Sequence, residues 1–527
     1  MPPADVAPLY RKLEERILAR DQIGASETYY HLLRADRPLP EIVAEGVRIH
    51  APYTHVPYHE RIDGGYPNFV NNDHCLLSAR ATINLSRLLP GQLSMLPMAQ
   101  TIWYIPTGLD IWNQKIGKAP GHYLPGFKGG PITDPPIPVV YWPDQEPLRQ
   151  TGPIRERLGN WLTLVHRGQV LDAYRVFLGL MEDRADRKEV LAELVFAGLI
   201  DVQDRALYNR SYSTGHKGFR ARSTVEVGNF IGWDNAHHVI YAGALDIAVG
   251  PRWYSTYEMA CNAIKMFIDG ETLHAVPYAG ASQRETAILA QTEPLNQEES
   301  VRLIQSLIRE PEPAFIQTLA DLLLAGKSPR RILDTIQIAA AQVVIETAIN
   351  TNFSLPQHCY EYCNTLGWFW DNFDHPLRLK LLYVAAAYLN RAAWHQKHTG
   401  DLNPVAIRAP AIADHMAAGA ILQRIESAIL ALDGPESMTW VRAYLDNFAD
   451  RAPLVQRLAT LASRIGNDPH NQEIAQCMLE DFAKNQSPDR DKLLLAAAQH
   501  TATHRKYGDF LEASRRFGRA MDIHALA

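Results

Sequence analysis

Apolar residues recur along most of this chain at the spacing of one helix face. Near the start, Leu9, Leu13 and Ile17 stand four residues apart, which aligns them on a 3.6-residue helix. From residue 154 onward the same pattern returns segment after segment. It is read in "IRERLGNWLTLVHRGQVLDAYRVFLGLM", "KEVLAELVFAGLIDVQD", "EESVRLIQSLIREPEPAFIQTLADLLLAG", "SPRRILDTIQIAAAQVVIETAI", "PLRLKLLYVAAAYLNRAAWHQ" and "AIADHMAAGAILQRIESAILAL". Short breaks of Pro, Gly, Asp or Asn separate these runs, and none shows sustained period-two alternation. The predicted fold is all-α: an irregular array or bundle of stacked amphipathic helices. No fixed period of a regular helical repeat is present.

One tract departs from the pattern. Ten prolines fall between Ile105 and Pro153, a density that forbids long helices. Trp112, Tyr123, Phe127, Tyr141 and Trp142 in the same tract make it too aromatic for a disordered linker, so an ordered excursion is expected. The resulting division is an N-terminal helical part at 1–104 with a His-rich segment, a Pro/Gly-rich loop or lid at 105–153, and a main helical domain at 154–527. The first and third parts are expected to form one structural unit.

Length and composition narrow the function classes. The chain has 527 residues, 46% hydrophobic and 21% charged, with a net charge of −6. A mildly acidic chain has no bulk electrostatic reason to seek nucleic acid or an anionic membrane. The sequence shows no uncharged apolar run of membrane-spanning length and no leader-like h-region at its start. Its five cysteines, Cys75, Cys261, Cys359, Cys363 and Cys477, are sparse and odd in number, which suits reduced thiols and a cytoplasmic location. "HCYEYC" sets Cys359 and Cys363 one helical turn apart, a weak zinc signal without a second Cys or His pair nearby.

The candidate chemistry lies in the twenty histidines. "NNDHCLL" carries His74, "STGHKGF" carries His216, and "DNAHHVIYAGALD" carries His237 and His238. The pattern His-x-Val-x-Tyr-Ala-Gly-Ala, running from His237 to Ala244, recurs from His274 to Ala281. "DNFDHPLRL" adds His375. Several of these sit in helices that otherwise look buried, where a neutral imidazole needs partners for both nitrogens. Helical bundles build metal sites by converging single side chains from separate helices. A set of imidazoles with an oxygen ligand suits iron(II), zinc, copper or manganese, and an open position on iron admits dioxygen. Asp73 and Asp374 each precede a histidine and are expected to cap or support rather than to ligate. Lys217 and Lys380 are candidate bases if buried. No H-x-D spacing, His-Glu-x-x-His, Walker A or G-x-S-x-G motif is present.

The tract "GHKGFRARSTVEVGNFIGWDNAHHVIYAGALDIA" resembles the Gly-His-Lys, Ile-Gly-Trp and Ala-His elements of large helical bacterial proteins, some fused to Rieske iron–sulfur domains. It is also similar in character to the questin oxidase-like family of helical, His-rich oxygenases. The likeness covers roughly residues 214–283. It implies a cofactor-poor oxygenase or ring-opening enzyme with non-haem iron, acting on an aromatic or polyketide-like substrate. By motif position it reaches His216, Lys217 and His237, and by general layout His74, His274 and His375. No C-x-H…C-x-x-H pair is present, so the chain lacks a Rieske electron source, which favours dioxygenation or a separate reductase.

These readings combine into one expectation. His74, His216, His237, His274 and His375 gather around a non-haem iron, with zinc or manganese as alternatives. Tyr241 or Tyr278 donates a hydrogen bond to a developing oxyanion, and Lys217 serves as a base. The partners are dioxygen and a small aromatic or quinone-like molecule undergoing ring cleavage or a Baeyer–Villiger-like oxygenation, with a homo-oligomer compatible. Two rivals stand beside it. One is a zinc or manganese hydrolase using the same ligands. The other is a non-catalytic scaffold in which the histidines are core hydrogen-bonders and the doubled motif is helix packing.

Overall fold

A computed structural model describes residues 6–53, 74–109, 145–167, 169–202, 215–248, 255–272, 280–347, 355–465, 469–503 and 510–526. Among these residues there are twenty-three α-helices and no strand. The all-α expectation holds, and each apolar-periodic run named above appears as helix. The run at 154–181 forms Ile154–His166 and Val170–Glu182, and the 298–326 run divides into Gln297–Ile308 and Glu312–Leu324. The division comes at "REPEP", because proline cannot continue the first helix yet suits the opening turn of the next.

Local sequence explains many of the ends. Ser282 and Asn296 each accept a hydrogen bond from the backbone three residues on, while Glu285 and Glu299 reach back, forming two capping boxes. Asp21 and Asp433 cap the helices that follow them. Two apolar cores result. The larger draws on the helices from residue 154 to 501. The smaller joins the first three helices to Leu96–Tyr104 and to the C-terminal helix Leu511–Ala520, where Phe517 lies 5.8 Å from Tyr30 and 6.4 Å from Tyr29.

Four helices distant in sequence close a ring between these cores. His74–Ser86 packs on His216–Ile231, which packs on Leu355–Asn372, which packs on His470–Lys484, which returns to His74–Ser86. Their interior is polar to an unusual degree. Arg80 and Arg222 are fully buried. Arg222 donates to Glu226, Asn364 and Glu480, at 3.0, 2.5 and 2.6 Å. Because this bundle is lined by polar groups and coated by apolar ones, its helices are buried on nearly every side and lack a clean amphipathic stripe.

The expected lid lies mostly at 110–144, outside the described residues, and so do Trp112, Tyr123 and Trp142. No helix among the described residues is long and apolar enough to cross a membrane. All five cysteines are buried thiols outside any disulfide.

Candidate metal centre

His74, His216 and His470 each open a helix of the four-helix ring, and His358 sits in the first turn of the fourth. All four therefore lie at one end of the bundle. One ligand atom from each of His74, His216 and His470 lies within 4.8 Å of the others. His358 completes the ring, 4.9 Å centroid to centroid from His216 and 5.1 Å from His470. The other pairs are His74–His470 at 4.4 Å, His74–His216 at 5.5 Å and His216–His470 at 6.5 Å. An imidazole bound through nitrogen puts its centroid roughly 3.2 Å from a metal, so rings sharing one ion stand about 4.5 to 6.4 Å apart. Three of these five separations fall inside that range and the other two, 4.4 and 6.5 Å, lie 0.1 Å outside it, while the ligand atoms mutually within 4.8 Å are those of His74, His216 and His470.

Local sequence positions each ring. Gly215 takes a φ of +104°, and a β-carbon there would meet the Phe219 ring at 2.5 Å, so glycine is required to turn the chain into His216. On His470–Lys484 the His470 carbonyl oxygen is held by His500 Nε2 at 2.9 Å. Two of the histidines are followed one helical turn later by glutamate: His358 by Glu361 and His470 by Glu473. These are the only two H-x-x-E spacings among the twenty histidines, and i,i+3 places both members on one helix face.

The two carboxylates differ in partners. Glu361 Oε1 accepts from Arg80 Nη2 at 2.8 Å, with both side chains essentially inaccessible. Burial pushes the Glu361 carboxyl up, while Arg80 and His470 pull it back. Glu473 is wholly buried and has His74 Nδ1 and Ser78 Oγ as its hydrogen-bond partners, each at 3.2 Å. No lysine or arginine pairs with it among the described residues. The contact engages Nδ1 of His74, which leaves Nε2 as the ring nitrogen turned to a ligand. His216 is held neutral, its pKa pushed well below the ordinary histidine value by burial and then by His358, His74 and His470.

Of the residues expected from sequence, the structure brings His74 and His216 together. His274 and Tyr278 lie outside the described residues. His237 is elsewhere: its ring meets His238 at 5.6 Å, and it lines a shallow surface depression with Gln145, Glu182 and Ile240. His375 stacks on Phe196 at 4.1 Å, with Nε2 3.1 Å from Glu193 and Nδ1 accepting from the Leu377 amide. Both of its nitrogens are used, so it has no lone pair for a metal. Lys217 is not solvated but paired with Asp201 at 2.7 Å, both buried. Lys380 is likewise buried, 4.0 Å from Glu285. Tyr241 is fully buried against Tyr174, packed edge to face in the core. Asp374 is an exposed partner of Arg378.

His358, His470, Glu361 and Glu473 are the members that sequence reasoning passed over. "HCYEYC" was weighed for its cysteines, yet Cys359 and Cys363 are buried thiols, and burial raises Cys359 well above the ordinary range. The informative letters were its first and fourth.

The doubled His-x-Val-x-Tyr-Ala-Gly-Ala motif divides as well. In the first copy a β-carbon on Gly243 would fall 1.6 Å from Thr224 Oγ1, so the glycine lets His237–Ala248 lie close on His216–Ile231. Of the second, 274–279 lie outside the described residues, and among the described residues nothing stands within 4 Å of the β-carbon position of Gly280.

No protein-family model, no curated protein and no solved structure matches this chain.

Proposed function

We propose that the chain is a metal-dependent enzyme, with non-haem iron oxygenation of a small aromatic or quinone-like molecule as the leading activity. The observation that carries the metal reading is the convergence of ligand atoms of His74, His216 and His470 within 4.8 Å, beside Glu473, a buried carboxylate that no lysine or arginine pairs with among the described residues. A buried charge left unpaired is costly, and a cation at the neighbouring histidines offsets it. His74, His216, His358 and His470 would hold the ion. Iron in such a nitrogen-rich set supplies dioxygen activation, whereas zinc would supply an activated water.

The chain's own residues prepare this site. Glu473 fixes the His74 ring through Nδ1, and Ser78 steadies Glu473 from the same helix as His74. Arg80 holds Glu361 beneath His358. His358 and His470 are buried, while His74 and His216 are partly exposed, so a small molecule would approach over the latter pair.

The test is metal analysis of the full chain purified without an affinity tag, beside its His358→Ala and His470→Ala variants. Near-stoichiometric iron, lost in both variants while helical circular dichroism persists, supports the reading, and oxygen uptake with phenolic and quinone substrates then tests the activity. Tightly held zinc with no oxygen consumption redirects it to hydrolysis. Failure to bind any metal under all loading conditions rejects it.

A further inference from the structure

We infer that Tyr360 is a redox-active residue of the centre: when an oxidant such as a peroxide is reduced there without substrate, Tyr360 gives up one electron and passes its phenolic proton to Asp481. This inference rests on the metal reading above and adds to it a residue outside the ligand set.

The hydrogen bond is the first support. Tyr360 Oη donates to Asp481 Oδ2 at 2.8 Å. A phenol that loses an electron becomes a very strong acid, so its oxidation is easy only where a base takes the proton at the same moment. Tyr29, Tyr362 and Tyr444 donate to backbone carbonyls, which cannot take it up. Asp481 is prepared to do so. Its Oδ1 accepts from Asn364 at 2.9 Å and from Gln337 at 3.1 Å. Both amides are turned this way by other contacts, since Asn364 Oδ1 accepts from Arg222 and Gln337 Oε1 accepts from Asn485. Oδ2 is therefore the oxygen left to the phenol, and burial makes this carboxylate a stronger base than an exposed one.

Placement is the second support. Tyr360 follows His358 by two residues on Leu355–Asn372, which sets their α-carbons about 5.4 Å apart. The neighbouring helix His470–Lys484 carries both His470 and Asp481, so one pair of packed helices holds part of the centre and the proton acceptor together. Tyr360, Asn364 and Gln337 are wholly buried and Asp481 nearly so. Kept from bulk solvent, the proton stays on Asp481, hydrogen-bonded to the oxygen it left, and returns when the ring is reduced.

The electrons balance. Hydrogen peroxide takes up two electrons and becomes two hydroxide ions, with iron(II) supplying one electron and Tyr360 the other. Tyr360 becomes a neutral phenoxyl radical and Asp481 a neutral carboxylic acid.

The full chain is loaded with iron(II) under anaerobic conditions, mixed with hydrogen peroxide, frozen and read by electron paramagnetic resonance. The expected result is a radical signal that narrows when the protein is made with ring-deuterated tyrosine. Tyr360→Phe should abolish it and Tyr362→Phe should keep it. Asp481→Asn, which retains the phenol but cannot take its proton, should lower the yield at least about tenfold. Circular dichroism and the iron content of each variant separate loss of the radical from loss of the fold or the ion, and should Tyr360→Phe lose either, Asp481→Asn decides. A signal of full size in Tyr360→Phe overturns the inference, as does full yield in Asp481→Asn. Iron oxidised with no tyrosine signal in the parent also overturns it while sparing the metal reading. Absence of iron uptake removes the metal reading and this inference with it.

Discussion

Glu473 Oε2 lies 3.2 Å from His74 Nδ1 across 399 residues of sequence. This contact ties the first and last helices of the four-helix ring together and sets which nitrogen of His74 stays free. In the metal-free protein Glu473 is buried with this histidine beside it and, among the described residues, no lysine or arginine. Glu473→Gln should therefore raise the melting temperature of the metal-free protein and weaken metal binding by about 10- to 100-fold. Calorimetry with and without metal, together with chelator competition, reads both effects. A lower metal-free melting temperature in the variant would show that Glu473 is not a charge penalty.

The two classes of histidine should separate cleanly. His358→Ala and His470→Ala lose metal, whereas His237→Ala and His375→Ala keep it. His375→Ala instead destabilises by roughly 1–3 kcal/mol, because Glu193 and the Leu377 amide both lose a buried partner. Elemental analysis of the four variants beside their denaturation midpoints decides the assignment.

Lys217 and Asp201 test the reassignment of a candidate base to the framework. Lys217→Met leaves Asp201 buried without its lysine and should cost about 3–5 kcal/mol, with metal content unchanged in the folded fraction. Adding Asp201→Leu should recover part of that loss. Full stability in the single variant would contradict a structural ion pair.

Gly243 and Gly280 stand at the same place in the doubled motif, and among the described residues only Gly243 has a neighbour within 4 Å of its β-carbon position. Gly243→Ala should destabilise by roughly 1–3 kcal/mol, since the new methyl meets Thr224, and Thr224→Ala should partly relieve it. Gly280→Ala should stay within about 0.5 kcal/mol of the parent. Equal effects at the two positions would restore a shared packing role.

Asp481 gives a pH signature. Burial, with Glu480 beside it, pushes its carboxyl from 3.8 up to about 7. The native state then binds a proton that the unfolded chain has released, so the contribution is full below about pH 4 and is lost as pH rises through about 7. Its oxygens accept from Tyr360, Asn364 and Gln337, an arrangement that asparagine can retain if the Tyr360 hydroxyl turns to accept. The stability of the parent minus that of Asp481→Asn should fall between pH 4 and 7 and then level off. A difference that is flat with pH would place the ordinary carboxylate value at this position.

What the sequence alone determined was the secondary structure and the polar character of its punctuation. Helical period, capping residues and proline breaks act over a few residues, and they placed the segments from Leu9 to the "AILAL" run correctly. The apolar setting read along the chain singled out His237 and His375, whereas His216 and His74 entered through the resemblance of the "GHKGF" tract. A further signal was present and local: "HCYE" and "HNQE" each set a glutamate one turn below a histidine. Only the tertiary structure decided which histidines meet. His375 has the same apolar setting in sequence as His358, yet it is consumed by Glu193 and a backbone amide. His237 looks like a ligand in its motif but faces the surface. Convergence depends on which helices pack side by side, and that follows from long-range burial of their apolar faces, so it is invisible to any pattern measured along the chain.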